Sequence, residues 1–176
     1  MTITHTINII QYLALLYFGF SAGYIFMFAI ASYFYRYSEK KTDVKLNKFL
    51  ILIPAYKEDS IILNTALDAL TQDYPSELFD VFVIADSLKP ETIELMRQEE
   101  IKCIEVSFKQ STKARSINKA LQVIKENYNV VIILDADNIM ENGFIHNINR
   151  SFENGSKAIQ AHRVAKNLDT NFAILD

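Results

Sequence analysis

The chain has 176 residues, half of them hydrophobic, which is enough for one domain of ordinary size plus an extra element. A formal net charge of −3 without a basic patch excludes an electrostatic nucleic-acid binder. The single cysteine, Cys103, has no partner for an internal disulfide; lying in the apolar stretch Ile101–Val106, it reads as a buried, inert thiol.

Residues 1–8 form a short tail without Lys or Arg. From Ile9 to Tyr35 no residue is charged, and only Gln11, Ser21 and Ser32 are clearly polar. Those 27 residues make about 40 Å of helix at about 1.5 Å rise each, so residues 9–35 can span a hydrocarbon core of about 30 Å with tilt. Tyr12 at one end and Tyr33, Tyr35 and Tyr37 at the other suit the two interfacial belts. A signal peptide wants a basic leader and a shorter apolar core, so the segment reads as a retained transmembrane helix. Gly19 and Gly23 give a G-x-x-x-G spacing that permits close helix–helix packing. Arg36, Lys40, Lys41, Lys45 and Lys48 follow the helix. The positive-inside rule therefore leaves the N-terminus outside and the charged part in the cytoplasm, on a single-pass anchor in the cytoplasmic membrane.

Residues 36–47 read as a charged juxtamembrane linker. Phe49–Ile53 is the first expected strand, closed by Pro54. Ile61, Ile62, Ala66, Leu67 and Leu70 recur at helical spacing, with Asp59 or Ser60 as the cap. Phe79–Ala85 is a second strand, Glu91–Gln98 a helix opened by Pro90, and Ile101–Val106 a third strand. Ala114, Ile117, Ala120, Leu121 and Ile124 mark another helix, with Thr112 as its cap. Val130–Leu134 is a fourth strand. Asn142 opens a helix carrying Phe144, Ile145, Ile148 and Phe152, and Ala158–Val164 reads as a fifth strand. The alternation predicts an α/β fold, a mainly parallel sheet with helices on both faces. At the C-terminus, Phe172–Leu175 looks like the start of a further helix, so the sheet is expected to be incomplete there.

The feature with most chemical content is Asp135-Ala136-Asp137, directly after the buried-strand pattern of Val130–Leu134. Ligands of open α/β sheets bind beyond the carboxyl ends of the strands. Two carboxylates there can hold a hard cation, and Mg²⁺ held that way commonly carries phosphates. An isolated D-x-D is more often a turn and cap device; its surroundings decide the matter here.

Four stretches in register carry a resemblance: Ile51-Leu52-Ile53-Pro54-Ala55-Tyr56-Lys57-Glu58-Asp59, Val83-Ile84-Ala85-Asp86-Ser87, Lys113-Ala114 through Asn118-Lys119-Ala120-Leu121, and Leu134-Asp135-Ala136-Asp137. From about residue 48 to the end, the chain resembles the membrane-attached family 2 glycosyltransferases of the GT-A fold. The resemblance implies a donor-binding region over residues 48–176, a nucleotide-sugar donor that is UDP-linked, and a glycan or lipid-linked acceptor. It implies that Pro54, Ala55 and Tyr56 wrap the nucleobase and ribose, with Glu58 near the ribose. Asp86 matches the carboxylate that accepts from the pyrimidine N–H. Lys113 matches a basic residue beside the diphosphate, where a compact ammonium acts as a point charge. Asp137 takes the direct contact to Mg²⁺ or Mn²⁺, and Asp135 the ribose or a share of the metal. Gln160, His162 and Arg163 fall near the donor-sugar pocket without assigned roles.

The family's catalytic base belongs to an E-D motif further along, so no base is expected before Asp176. Two other readings stay open. One is a non-catalytic, membrane-tethered nucleotide-binding or partner protein. The other is a D-x-D phosphohydrolase with Asp135 as nucleophile, although Ile139 stands where that class has a hydroxyl.

Overall fold

The computed structural model describes residues 3–34 and 44–164. The chain divides into two compact units, Met1–Lys40 and Lys41–Asp176.

In the first unit, helix α1 runs over Ile3–Phe34. It starts earlier than expected, because Ile3–Asn8, read as a tail, continue the helix. After its polar first turns (Thr4, His5, Thr6, Asn8 and Gln11), its surface is apolar all round, from Leu13 to Phe26 and Phe34. The Ser21 and Ser32 hydroxyls are spent on the carbonyls of Tyr17 and Ala29. No polar face remains to meet water, the pattern of a helix buried in protein or lipid. The helix is long and apolar enough to cross a membrane. Nothing lies within 4 Å of a Cβ built on Gly19 or Gly23. Tyr35, most of the linker and the expected helix at Phe172–Leu175 lie outside the described residues.

The second unit is a parallel sheet of β1 (Phe49–Tyr56), β2 (Phe79–Asp86), β3 (Lys102–Val106) and β4 (Val130–Ile133), in the order β3-β2-β1-β4. Helices α2 (Ile62–Leu70), α3 (Pro90–Gln98), α4 (Lys113–Val123) and α5 (Phe144–Glu153) alternate with the strands. The central strand β1 is hydrophobic on both faces because both are covered. Phe49, Ile51 and Ile53 pack with Ile62 and Ala66 of α2, Met96 of α3 and Ile145 of α5. Leu50 and Leu52 pack with Ile84, Ile104 and Ala120 of α4 on the other face. Phe49 through Ile53 are at most 1% exposed, and each such burial is worth roughly 1.5–3 kcal/mol of transfer free energy.

Four expectations need correction. Pro54 does not close β1, which runs on to Tyr56 in register with β2. Ala158–Val164 is coil and pairs with no strand among the described residues. Its polar members Gln160, His162 and Arg163 are exposed and leave it no face to bury. Helix α2 has no side-chain cap: Ile61 holds the cap position, and a turn closed by Ile61 N–H on the Glu58 carbonyl precedes it. Asp59 serves α3 instead, its Oδ1 accepting from Lys89 N–H at 2.8 Å and Thr92 Oγ1 at 2.7 Å. Those bonds hold the Asp59 carboxyl below its ordinary range. From outside the helix, Asp59 does what an N3 carboxylate does in a capping box. On α4, Ser116 and Ala120 are buried while Ala114 and Leu121 are exposed, so the true stripe is narrower than the apolar pattern. Thr112 caps α4 as expected, accepting from Arg115 N–H.

At the amino ends of the strands, Lys48 reaches Glu126 at 2.8 Å and Asp80 at 3.7 Å. Tyr128 donates to Asp80 at 2.7 Å, and Lys102 also pairs with Asp80. Burial pushes the Asp80 carboxyl up, but Lys102 and Tyr128 outweigh it and hold the group below its usual range. Nearby, a buried polar cluster fixes the entry into β1. Asn47 N–H donates to Tyr74 Oη at 3.0 Å, and Asn47 Nδ2 to Asn149 Oδ1 at 2.9 Å and Glu153 Oε1 at 2.8 Å. Each polar atom of this kind must find a partner when buried, and here the partners come from α5 and the loop after α2.

Candidate functional site

The carboxyl ends of β1, β2 and β4 open onto a cavity of about 350 Å³. It lies where the strand order reverses, since β1 is followed by β2 on one side and reaches β4 on the other. Such switch points are where open α/β sheets bind ligands.

All eight residues singled out from the sequence line this cavity: Pro54, Ala55, Tyr56, Glu58, Asp86, Lys113, Asp135 and Asp137. Each element delivers them for a local reason. Strand β1 ends in Pro54-Ala55-Tyr56, paired in register with Ile84-Ala85-Asp86 of β2. The residues just past both strand ends, Lys57 and Ser87, have φ of 58° and 57°. Left-handed backbone is uncommon outside glycine and costs on the order of 1 kcal/mol or more per residue. The Lys57 N–H bond to the Asp86 carbonyl, 3.2 Å, ties the two bends together.

Asp86 is 1% exposed. Its Oδ1 accepts from Ser87 Oγ at 3.1 Å and its Oδ2 from Ser116 Oγ at 3.3 Å. A buried carboxyl at the inner end of an open cavity, steadied by two hydroxyls, is an acceptor that can read an N–H donor on a ligand.

The Asp135-Ala136-Asp137 loop continues β4, with Leu134 N–H still bonded to the Leu52 carbonyl and Asn138 N–H closing a turn on the Asp135 carbonyl. Helix α2 and the loop after it hold it from behind. Thr65 Oγ1 donates to the Ala136 carbonyl at 2.6 Å, and Gln72 Nε2 to the Met140 carbonyl at 3.3 Å. The backbone between the two carboxylates is therefore pinned.

Charge inside the cavity is arranged around Asp135. Lys113, in the first turn of α4, is hydrogen-bonded to Asp135 Oδ1, and Arg163 Nη1 lies 3.8 Å from Asp135 Oδ2. The sequence assigned no part in ligand binding to Arg163, nor to the other lining residues Ser111, Thr112, Ser116 and Ala136. Ser116 could have been found by its place one turn after Lys113 on the same helix; for Arg163 the only signal was the resemblance, which put it near the donor-sugar pocket without a role.

Among the described residues no three His, Cys, Asp or Glu side chains gather into a metal site. Two carboxylates on one pinned loop nonetheless fit a hard cation that takes its remaining ligands from a substrate's phosphates and water, the ordinary arrangement for Mg²⁺. His146 packs its ring against Tyr74 at 5.0 Å, away from the cavity, and His162 is exposed and does not line it.

Comparison with known proteins identifies the family and the fold. Residues 47–176 match the model of the family described as glycosyltransferase like family 2. Cellulose synthase 2 of Novacetimonas hansenii is 28% identical over 96 residues, which is 54% of this chain and 6% of that protein. Among solved structures, the mannosyltransferase PcManGT from Pyrobaculum calidifontis, in complex with GDP-Man and Mn²⁺, superposes with a TM-score of 0.59 at 19% identity. That match covers 80% of this chain and 42% of PcManGT. Staphylococcus aureus TarS 1-349 in complex with UDP-GlcNAc follows at a TM-score of 0.47 and 19% identity, over 57% of this chain and 30% of that one. The chain thus spans less than half the length of each of these proteins.

Proposed function

The chain belongs to the glycosyltransferase-like family 2, and on that premise we propose that its cavity binds the nucleotide part of a UDP-linked sugar donor together with Mg²⁺ or Mn²⁺. The whole protein then acts as an inverting glycosyltransferase, passing the sugar to a glycan or lipid-linked acceptor. The observation that carries this reading is convergence: residues from Pro54 to Asp137, contributed by β1, β2, α4 and the loop after β4, meet at one cavity.

The roles follow from chemistry. Asp86, buried and acceptor-only when ionised, pairs with the imide N–H of uracil. Pro54, Ala55 and Tyr56 border the base and ribose, and Glu58 accepts from ribose hydroxyls. Lys113 meets the diphosphate as a point charge. Asp137 and Asp135 hold the cation, and the Mn²⁺ in the PcManGT complex supports divalent-metal use. Such a cation supplies charge neutralisation to a departing diphosphate. The residues of this chain fix the loop that carries both carboxylates, through Thr65 and Gln72, so that little reorganisation is needed on binding.

Helix α1 anchors the protein in the membrane on this reading. The basic residues that follow it favour a cytoplasmic site, where nucleotide-activated sugars are found.

The test is calorimetric titration of UDP into the detergent-solubilised chain with and without Mn²⁺. Affinity is expected to depend on the metal, and Asp137→Asn to lower it about 10- to 100-fold, the range for losing a charged contact. Equal affinity in chelator, or an unchanged Asp137→Asn variant, would sink the site as drawn.

A further inference from the structure

Asp135 is held by two cations from opposite parts of the chain, Lys113 at the start of α4 and Arg163 on the coil after α5. Neither pairing is buried. The Arg163 side chain is 74% exposed and its nearest approach is 3.8 Å, the kind of exposed ion pair that contributes little and exchanges readily. Arg163 therefore has little part in stability, yet it lines the cavity. Around that cavity four carboxyl groups, Glu58, Asp86, Asp135 and Asp137, face two basic side chains, Lys113 and Arg163.

We propose that Arg163 is a donor-binding residue that is stored on Asp135 in the free protein and transfers to the diphosphate when a metal-bound nucleotide enters. The inference rests on the proposed donor reading and extends it to a residue outside the D-x-D loop. A divalent cation drawn to Asp137 and Asp135 competes for the carboxylate that Arg163 and Lys113 occupy. With Asp135 so engaged, Lys113 and Arg163 would be left to pair with the diphosphate's charge. Arginine suits the exchange: its planar fork serves a carboxylate and a phosphate with the same N–H geometry, and it stays charged at any working pH. Lys113 covers one side of Asp135 and Arg163 the other, so the diphosphate is gripped from two directions rather than one. Among the described residues the coil that carries Arg163 pairs with no strand, and its side chain is 74% exposed, so moving it from Asp135 to a nearby phosphate breaks no buried contact.

The experiment measures affinities of the full chain and its Arg163→Ala and Arg163→Lys variants for uridine, UMP and UDP, each with Mn²⁺. Arg163→Ala is expected to weaken UDP about 10- to 100-fold, the range for a charge-assisted contact, to leave uridine unchanged, and to be rescued in part by Arg163→Lys. Unchanged uridine affinity shows that the variant keeps its fold. If Arg163→Ala leaves UDP binding unchanged, or tightens it because Asp135 has been freed, the residue is only a counter-ion and the inference fails while the donor site stands. If the unaltered chain binds no UDP with Mn²⁺, the donor reading fails and this inference with it.

Discussion

At the scale of single residues, environment decides chemistry more than identity does. Cys103 lies half-buried on β3. Burial, with the Glu105 carboxylate beside it, pushes the thiol up to about 11. Since the neutral form is the favoured one, the thiolate appears only as pH rises toward that value. At pH 8 the reactive fraction is roughly one part in a thousand, and alkylation by iodoacetamide is expected to be correspondingly slow in the native chain, rising to the ordinary rate in urea. Fast native labelling, followed by mass spectrometry, would contradict the burial. The sequence reading of a buried thiol holds in part: Cys103 is half-buried, packed against the core between the exposed Lys102 and Glu105. Asp59 was legible only in part. Its position before an apolar helical pattern marked it as a cap, and a cap it is, but for α3; the pattern names the chemistry and not the partner, which stands 30 residues away.

Elements show the same division between what is local and what is not. The candidate site residues were read at or just past the ends of the expected strands, Ile53, Ala85 and Leu134, since the end of an apolar run announces where a sheet meets its ligand; β1 and β2 in fact extend to Tyr56 and Asp86. The support behind them was invisible. Thr65 looks like a polar interruption of α2, and its role appears only when the Ala136 carbonyl, 71 residues away, arrives at 2.6 Å. Thr65→Val keeps the shape and leaves that buried carbonyl unpaired, at about 1–3 kcal/mol. Denaturant melts should show the loss of stability. Titrations should show weaker UDP binding in Mn²⁺ with uridine affinity retained, because the loosened loop carries the carboxylates and not Asp86. Equal loss for both ligands would mean that α2 supports the whole cavity instead. The missing fifth strand, Ala158–Val164, is the complementary lesson. Apolar and β-branched residues can suggest a strand, but a strand exists only with a ladder neighbour, and the segment instead brings Arg163 to the cavity.

Across the whole molecule, charge is segregated. All 18 Lys and Arg and all 21 Asp and Glu lie after Tyr35, leaving α1 and the residues before it uncharged in their side chains. On the proposed orientation, a reporter that works only in the cytoplasm is expected to be active when fused after Lys48. Activity only of a reporter that requires the outer side would reverse the orientation and remove the donor's access to the cavity.

The sheet order has a temporal consequence. Strand β1 is central in space yet first in the chain, and its partner β4 pairs Phe49 with Val130. The bond from Lys48 N–H to Asn129 spans 81 residues, and the Asn47–Asn149 contact spans 102. On a ribosome adding about 5–20 residues per second, β1 waits roughly 4–16 s for its second neighbour. During that interval the most apolar strand of the domain has one open flank, while the Asp86 end of the cavity can already form on β2. Nascent chains of this protein are therefore most vulnerable to strand mispairing before residue 133 emerges, and a synonymous change that slows translation between β2 and β4 prolongs that window without altering a single contact of the finished fold.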